Sequence, residues 1–383
     1  MRVVIAKKLL SAVGGSELQA RLLAQALASR GHDVTLVGLR PAWPRPGIPA
    51  EALAGAGGAV RLREDGLTVT YVPARLGRLG AAIDGLGPTA LVEERALRDA
   101  AAGADVVHVI AREWAGPLER AARFAGAAFV ETPLAHPGQR FSGDGPADVA
   151  RYRRADAIIA LTEWEAAWYH AHGAERVHVT GVGAALAAVP DVPADPATVL
   201  FVGRKERYKG YHALRAAAPL VWKARPDARF VAIGQRSWLD RWDRRPRDPR
   251  WVERGVVDER EKALAYARAT LLAMPSDHET FGHAYLEAWT AGRPVIAGDI
   301  PPLWEVVREG IDGLHAANEP RAVAAAVLRL LGDPQAARRM GEAGRQRVSE
   351  LWTWPRVAEK TELVYEMAST MRRTGAGRSS RSA

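Results

Sequence analysis

Short runs of β-branched and apolar residues alternate with longer amphipathic stretches rich in Ala, Leu and Arg from one end of the chain to the other. That alternation is the pattern of βαβ units and a parallel sheet. "RVVIA" near the start reads as a strand, "SELQARLLAQALASRG" as a helix stopped by Gly31, and "DVTLVGL" as the next strand. Ser16 with Gln19 three residues on has the form of a capping box, which predicts a helix starting at Ser16. Further strands are predicted at "LTVTYVP", "DVVHVI", "AAFVET" and "AIIAL". The Pro- and Asp-rich stretch "AVPDVPADPAT", 188–198, then breaks the pattern and reads as a linker. Beyond it the alternation restarts with "VLFVGR", a helix over about 210–224, "ARFVAIG", "WVERGVV", a helix, "TLLAMPS", a helix and "PVIAGD". A restart of this kind predicts a second open α/β sheet, and such sheets bind ligands at the carboxyl ends of their strands. The expected fold class is therefore α/β, with two domains, 1–190 and 191–355, facing each other across a cleft. A helical pattern over 356–371 is placed to pack back on the first domain, and a basic tail, 372–383, is expected to be disordered.

Composition narrows the class. A chain of 383 residues exceeds one ordinary core, and 48% hydrophobic with 25% charged residues matches a globular protein. The absence of cysteine removes disulfides, thiolate nucleophiles and Cys-ligated zinc, and fits a cytoplasmic setting. No uncharged run of about 18 residues occurs, so neither a cleaved signal nor a membrane span is expected. The net charge is +9, and the tail supplies four of those charges through Arg372, Arg373, Arg378 and Arg381. A basic body suits anionic ligands such as nucleotides, phosphorylated metabolites or an acidic membrane surface, to which the tail would give weak peripheral contact. Nucleic acid is not expected as a partner, since no recognised nucleic-acid motif accompanies the charge.

The candidate chemistry lies in "SDHETFGHAYLEA", where Glu279 and Glu287 stand eight apart across Phe281 and Gly282. A glycine turn opening a helix offers free backbone N–H groups and the positive end of the dipole, a ready site for phosphate. Glu287 lies five residues beyond Gly282, or ~7.5 Å along a helix, about the step from a diphosphate to its ribose. Its two oxygens can accept both ribose hydroxyls. Glu279, on the other side of the phosphate, would face whatever is attached beyond it. Two glutamates on a solvated face would show the same spacing. "FVGRKERYKG" places Arg204 and Lys209 in a βα loop where they can clamp a diphosphate and stabilise charge on a leaving nucleotide. "VGGSE" sets Gly14 and Gly15 before the first helix, where a ligand can approach the backbone closely.

These residues resemble the retaining glycosyltransferases of family 4, which have the two-Rossmann-domain architecture called GT-B. The match is Pro275, Ser276, Glu279, Phe281, Gly282, Glu287, Ala288, Gly292, Pro294 and Val295, continuing through Glu305, Gly310, Gly313 and Leu314. "FVGR" with "KG", "GGSE" and "ADAIIALTEWEAAWYHAHG" are similar to other family landmarks. The resemblance implies that Glu287 binds ribose, Glu279 contacts the donor sugar, and Phe281 and Gly282 offer backbone donors. Arg204 and Lys209 would hold the diphosphate, with Gly14 and Gly15 near donor phosphate or acceptor. It also implies a functional histidine in a loop of the first domain, for which "ETPLAHPG" offers His136; a histidine beside a proline reads equally as structural. His108, inside a predicted strand, reads as core, and His278 either lines the cleft or is an ordinary loop residue.

The implied activity is transfer of a sugar from a nucleotide-diphosphate donor to an unidentified acceptor, a small molecule, glycan or lipid-linked sugar, with retention at the anomeric carbon. No cofactor or metal is expected: the chain has no Asp-x-Asp pair, and cationic side chains stand where a divalent ion would act. A non-catalytic nucleotide- or glycan-binding protein, or a sugar phosphorylase or epimerase of similar architecture, fits the same scaffold. "RSWLDRWDRRPRDPRW", 236–251, interleaves six arginines with three tryptophans and reads either as a contact for an anionic acceptor or as a solvated loop.

Overall fold

The computed structural model describes residues 1–12, 14–86, 90–139, 142–186, 188–236 and 248–379, the last five as backbone only. The chain divides into two compact units, residues 1–182 with 354–383, and residues 183–353. The boundary falls at Val182 and Gly183 rather than in the Pro-rich stretch 188–198, which instead leads into the first strand of the second unit.

The first unit runs β1 (Arg2–Ala6), α1 (Gly15–Ser29), β2 (Asp33–Leu39), β3 (Val60–Glu64), β4 (Leu67–Val72), α2 (Gly77–Leu86), α3 (Glu94–Ala101), β5 (Val106–Ile110), α4 (Ala115–Ala125), β6 (Ala128–Thr132), α5 (Pro146–Arg154), β7 (Ala157–Ala160), α6 (Glu163–Ala171) and β8 (Val177–Val179). Its sheet has the order β3-β4-β2-β1-β5-β6-β7-β8, parallel throughout except for β3 against β4. Helices cover both faces, so central strands such as "VVHVI" are buried at every position and read as unbroken apolar runs. At the edge, β3 alternates half-buried with exposed residues, as a strand with one wet face must. The rise in alternation from β5 to β3 follows from position in the sheet, not from propensity.

The second unit contains β9 (Thr198–Val202), α7 (Tyr211–Ala224), β10 (Arg229–Ile233), β11 (Trp251–Glu253), α8 (Glu259–Arg268), β12 (Leu271–Met274), α9 (His283–Thr290), β13 (Val295–Gly298), α10 (Pro301–Val306), β14 (Gly313–Ala316), α11 (Pro320–Gly332) and α12 (Pro334–Leu351). Its strands are all parallel, in the order β11-β10-β9-β12-β13-β14. The predicted strand "WVERGVV" shrinks to three residues at the sheet edge.

The chain then re-enters the first unit as α13 (Trp354–Ser379). Val357, Ala358, Val364, Tyr365 and Ala368 of this helix join the core formed by β1, β2 and α1. The helix continues through Arg372 and Arg373 to Ser379, so the part of the tail expected to be disordered is described as helix up to that point. A second correction concerns α1. It starts at Gly15, with Gly14 at the cap position and no side-chain cap, and Ser16 Oγ donates to Glu17 Oε2 at 2.9 Å instead.

Among the parallel strands of each sheet the order reverses once, next to β1 in the first unit and next to β9 in the second. Loops leaving the carboxyl ends there splay to opposite faces and open a crevice. The loops after β1, β9 and β12 carry most of the candidate residues; His136 follows β6 and Glu287 lies in α9.

Candidate functional site

In the second unit the loop after β9 (203–210) and the loop after β12 (275–282) leave adjacent strands. Gly210 lets them meet: a Cβ there would lie 2.5 Å from the Pro275 carbonyl oxygen. The Asp277 amide donates to the Tyr208 carbonyl at 2.7 Å, and Asn318 Nδ2 donates to both the Arg207 carbonyl and Asp277 Oδ2. The two loops thus form one tied assembly, and most of the predicted donor-side residues lie on it.

Lys209 Nζ sits 2.6 Å from Glu279 Oε2, with both side chains largely buried. The Tyr208 ring lies between cations, with Lys209 Nζ 5.3 Å and the Arg204 guanidinium 5.8 Å from its centroid. Arg204 donates to the Tyr208 hydroxyl and is otherwise open to solvent, 3.6 Å from Glu206. Burial holds the Tyr208 hydroxyl well above the usual tyrosine range, so it is protonated. A largely buried Lys–Glu pair thus stands beside an arginine whose charge faces solvent.

Glu287 is 4% exposed, which removes the solvated-face reading for it. Its Oε1 accepts from Lys262 Nζ at 2.8 Å and its Oε2 from the Tyr266 hydroxyl at 2.7 Å. Burial by itself would lower the Lys262 ammonium, but the charge and hydrogen bond of Glu287 outweigh it and raise its pKa. Each carboxylate oxygen keeps a second lone pair, so the carboxylate is oriented without being saturated. Lys262 and Tyr266 were not singled out from sequence; their signal is the i,i+4 spacing in "EKALAYA", which puts both on one face of α8.

Between these pairs Gly282, at φ 92°, caps α9. A Cβ there would come within 2.4 Å of the Tyr285 ring, so the turn requires glycine on two counts. Phe281 is buried edge-on against Trp352 at 5.2 Å, anchoring the turn while its backbone stays available. His283 opens the helix with its Nδ1 buried and lacking a hydrogen-bond partner; burial pushes its pKa down to about 4, so the ring is neutral at neutral pH. His278 lies 6.3 Å, ring to ring, from Tyr208.

The remaining candidates belong to the first unit. Gly14, φ 127°, caps α1, and the Glu17 carboxylate occupies the space a Cβ would need. Gly15 is the first helical residue. Glu17 and Glu113 flank the buried Lys7 ammonium at 3.9 and 3.6 Å. His136 is half-buried in the loop after β6, its amide donating to the Ser142 carbonyl at 3.0 Å. Ala111 and Leu134, which follow β5 and β6, both have left-handed backbones (φ 65° and 54°), so local strain gathers at this sheet edge. His108 is core: it bonds Tyr365 and Thr132, and burial pushes it down to about 3. Within 236–251, residues 237–247 lie outside the described residues.

Two family models divide the chain between them, the glycosyl transferase 4-like domain over residues 14–185 and glycosyl transferases group 1 over residues 185–347. The chain belongs to the family 4-type glycosyltransferases of GT-B architecture. It is 37% identical over 177 residues to a glycogen synthase of Mycobacterium tuberculosis, covering 44% of this chain and 42% of that one. It is 28% identical over 280 residues to a D-inositol 3-phosphate glycosyltransferase of Thermobifida fusca, covering 63% and 62%. The chain spans about half the length of the curated relatives it matches. Among solved structures, Anabaena HepE in complex with UDP and glucose superposes with a TM-score of 0.76 at 16% identity over 96% of this chain and 99% of that one. Sucrose-phosphate synthase from Thermosynechococcus elongatus gives 0.73 at 20% identity over 95% and 98%. At such identities the likeness is one of fold.

Proposed function

We propose that this protein transfers a sugar from a nucleotide-diphosphate donor to an acceptor with retention of anomeric configuration. The observation that carries the reading is that Lys209–Glu279 and the glycine-capped start of α9 lie on tied loops at the switch point of one sheet, with Lys262–Glu287–Tyr266 held between α8 and α9. The three parts match the three parts of a donor: sugar, diphosphate and ribose.

Breaking the anomeric bond builds positive charge on carbon and negative charge on the departing phosphate. In this reading Arg204, Lys209 and the free N–H groups around Gly282 stabilise the phosphate charge. Each such group contributes ~10² to 10³ in rate by analogy with oxyanion donors. Glu279 accepts from sugar hydroxyls while fixing the Lys209 ammonium, and Glu287, oriented by Lys262 and Tyr266, accepts from the ribose. Gly14, Gly15 and His136, in the first unit, are assigned to acceptor or sugar by the family resemblance alone. The cations supply the charge that a metal would supply in other sites, so chelation is expected to leave turnover unchanged. The absence of cysteine supports a cytoplasmic setting.

The test is calorimetric binding and slow hydrolysis of UDP-, GDP- and ADP-sugars by the native protein beside Glu287→Ala and Glu279→Gln. One donor is expected to bind and be hydrolysed, with Glu287→Ala weakening nucleotide binding and Glu279→Gln mainly lowering turnover. If no donor binds to the folded protein, the reading is wrong.

A further inference from the structure

Helix α2 is built the wrong way out for a water-facing helix. Its small and polar residues Gly80, Ala81 and Asp84 are buried, with Asp84 held by Lys8 at 3.0 Å and by the Trp114 indole at 3.2 Å. Its large apolar residues face outward: Leu79 is 64% exposed, Ile83 43% and Leu86 75%, with Leu76 just before the helix at 73%. Within the helix, Leu79, Ile83 and Leu86 are spaced four and three residues apart and share one stripe, and the exposed Leu76 lies just before its first turn. Leu76 also has a left-handed backbone, φ 65°, a conformation disfavoured for leucine, in the turn that enters the helix.

The exposed charges on the helix and immediately before it, Arg78 and Arg75, are both positive. The helix contains one carboxylate, Asp84, which is buried and matched by Lys8. Arg75 is exposed and shares Glu94 with Arg120, so two guanidinium groups face one carboxylate. Arg78 is exposed and donates through Nε to the Ala42 carbonyl, which orients its charge without neutralising it.

We propose that α2 lies in the headgroup boundary of an anionic lipid bilayer, with Leu76, Leu79, Ile83 and Leu86 inserted and Arg75 and Arg78 against lipid phosphates. The contact is interfacial, since no described helix is long and apolar enough to cross a membrane. A ten-residue helix is ~15 Å long, and its one exposed face is small beside the ~800 Å² per partner of a stable protein interface. Shallow insertion has no such area requirement. Because α2 follows β4, it starts from the carboxyl edge of the first sheet, the edge bearing Gly14, Gly15 and the His136 loop. Binding through α2 would turn that edge toward the bilayer. The inference does not depend on the donor reading, because lipid binding is measured without a sugar donor.

The experiment is co-sedimentation of the full chain with vesicles of phosphatidylcholine, alone or mixed with phosphatidylglycerol. Leu79→Ser/Ile83→Ser, Arg75→Ser/Arg78→Ser and a deletion of residues 372–383 are run beside it, each checked for native circular dichroism. The native chain is expected to bind the anionic vesicles, and the apolar double variant to bind roughly tenfold or more weakly. The arginine variant should lose the salt-dependent part, and the deletion should keep most of the binding. Three results would overturn the proposal: no sedimentation with anionic vesicles, equal binding by the apolar variant, or loss of binding on the tail deletion alone. A fourth is self-association of the native chain that the serine variant abolishes, which would assign the stripe to a second copy.

Discussion

At the scale of single residues, the two glutamates that stand out in the sequence have different surroundings, and these set different expectations. Glu287 has both oxygens engaged, by Lys262 and Tyr266, in a buried pocket. Tyr266→Phe removes one of these hydrogen bonds at nearly constant volume, so we expect nucleotide affinity to fall roughly tenfold with little change in turnover; titration calorimetry checks it. Glu279 holds the Lys209 ammonium at 2.6 Å, and Glu279→Gln keeps the shape but leaves that ammonium without its counter-charge. Turnover is expected to fall by ~10² to 10³ while the nucleotide alone still binds, read as kcat against the Kd of the free nucleotide. Both glutamates were legible because the E-x7-E spacing is local. Lys262 and Tyr266 were not, since only the packing of α8 beside α9 shows which residues of a charged, solvent-edged helix turn inward.

Elements decide which loops are rigid. Gly282 must hold φ 92° and leave room for the Tyr285 ring, so Gly282→Ala is expected to lower stability by ~1 to 3 kcal/mol and abolish donor binding. Gly58→Ala, where a Cβ meets nothing, is the neutral control, and thermal denaturation with donor titration compares the two. Burial also gives the elements a pH signature. His108 in β5 is pushed down to about 3 and His283 at the start of α9 to about 4, both below the unfolded value of ~6.5. The folded state resists protonation that the unfolded state accepts, so stability is complete above pH ~6.5, declines as pH falls toward 4 and then 3, and levels below. Urea titrations at pH 7 and 4.5 should show that decline, with His108→Gln flattening it. Element type was readable wherever burial was symmetrical, as in β1, β5 and β12. Edge strands β3 and β8 were missed because they are half-wet, β14 because "GLHA" holds no β-branched or aromatic strand former, and the start of α1 was misplaced because a glycine cap leaves no side-chain signature.

On the scale of the whole molecule, the last helix belongs to the first unit although the second unit separates them in sequence. Removing everything from Trp354 onward would take Val357, Val364 and Tyr365 out of that core. At ~1.5 to 3 kcal/mol for each large apolar side chain, the loss rivals the whole ~5 to 15 kcal/mol stability of a domain, so loss of near-ultraviolet circular dichroism is expected. Deleting only 372–383 should leave donor turnover intact. The amino-acid order alone determined that this is a two-part α/β protein whose E-x7-E, glycine and cation spacings resemble those of the family 4 glycosyltransferases, because strand and helix periods and residue spacings are local properties. Tertiary structure alone decided where the chain divides, which cations meet which glutamates, and that α2 shows its leucines to the outside. Those depend on contacts between segments far apart in sequence, where burial is set by neighbours rather than by the residue itself.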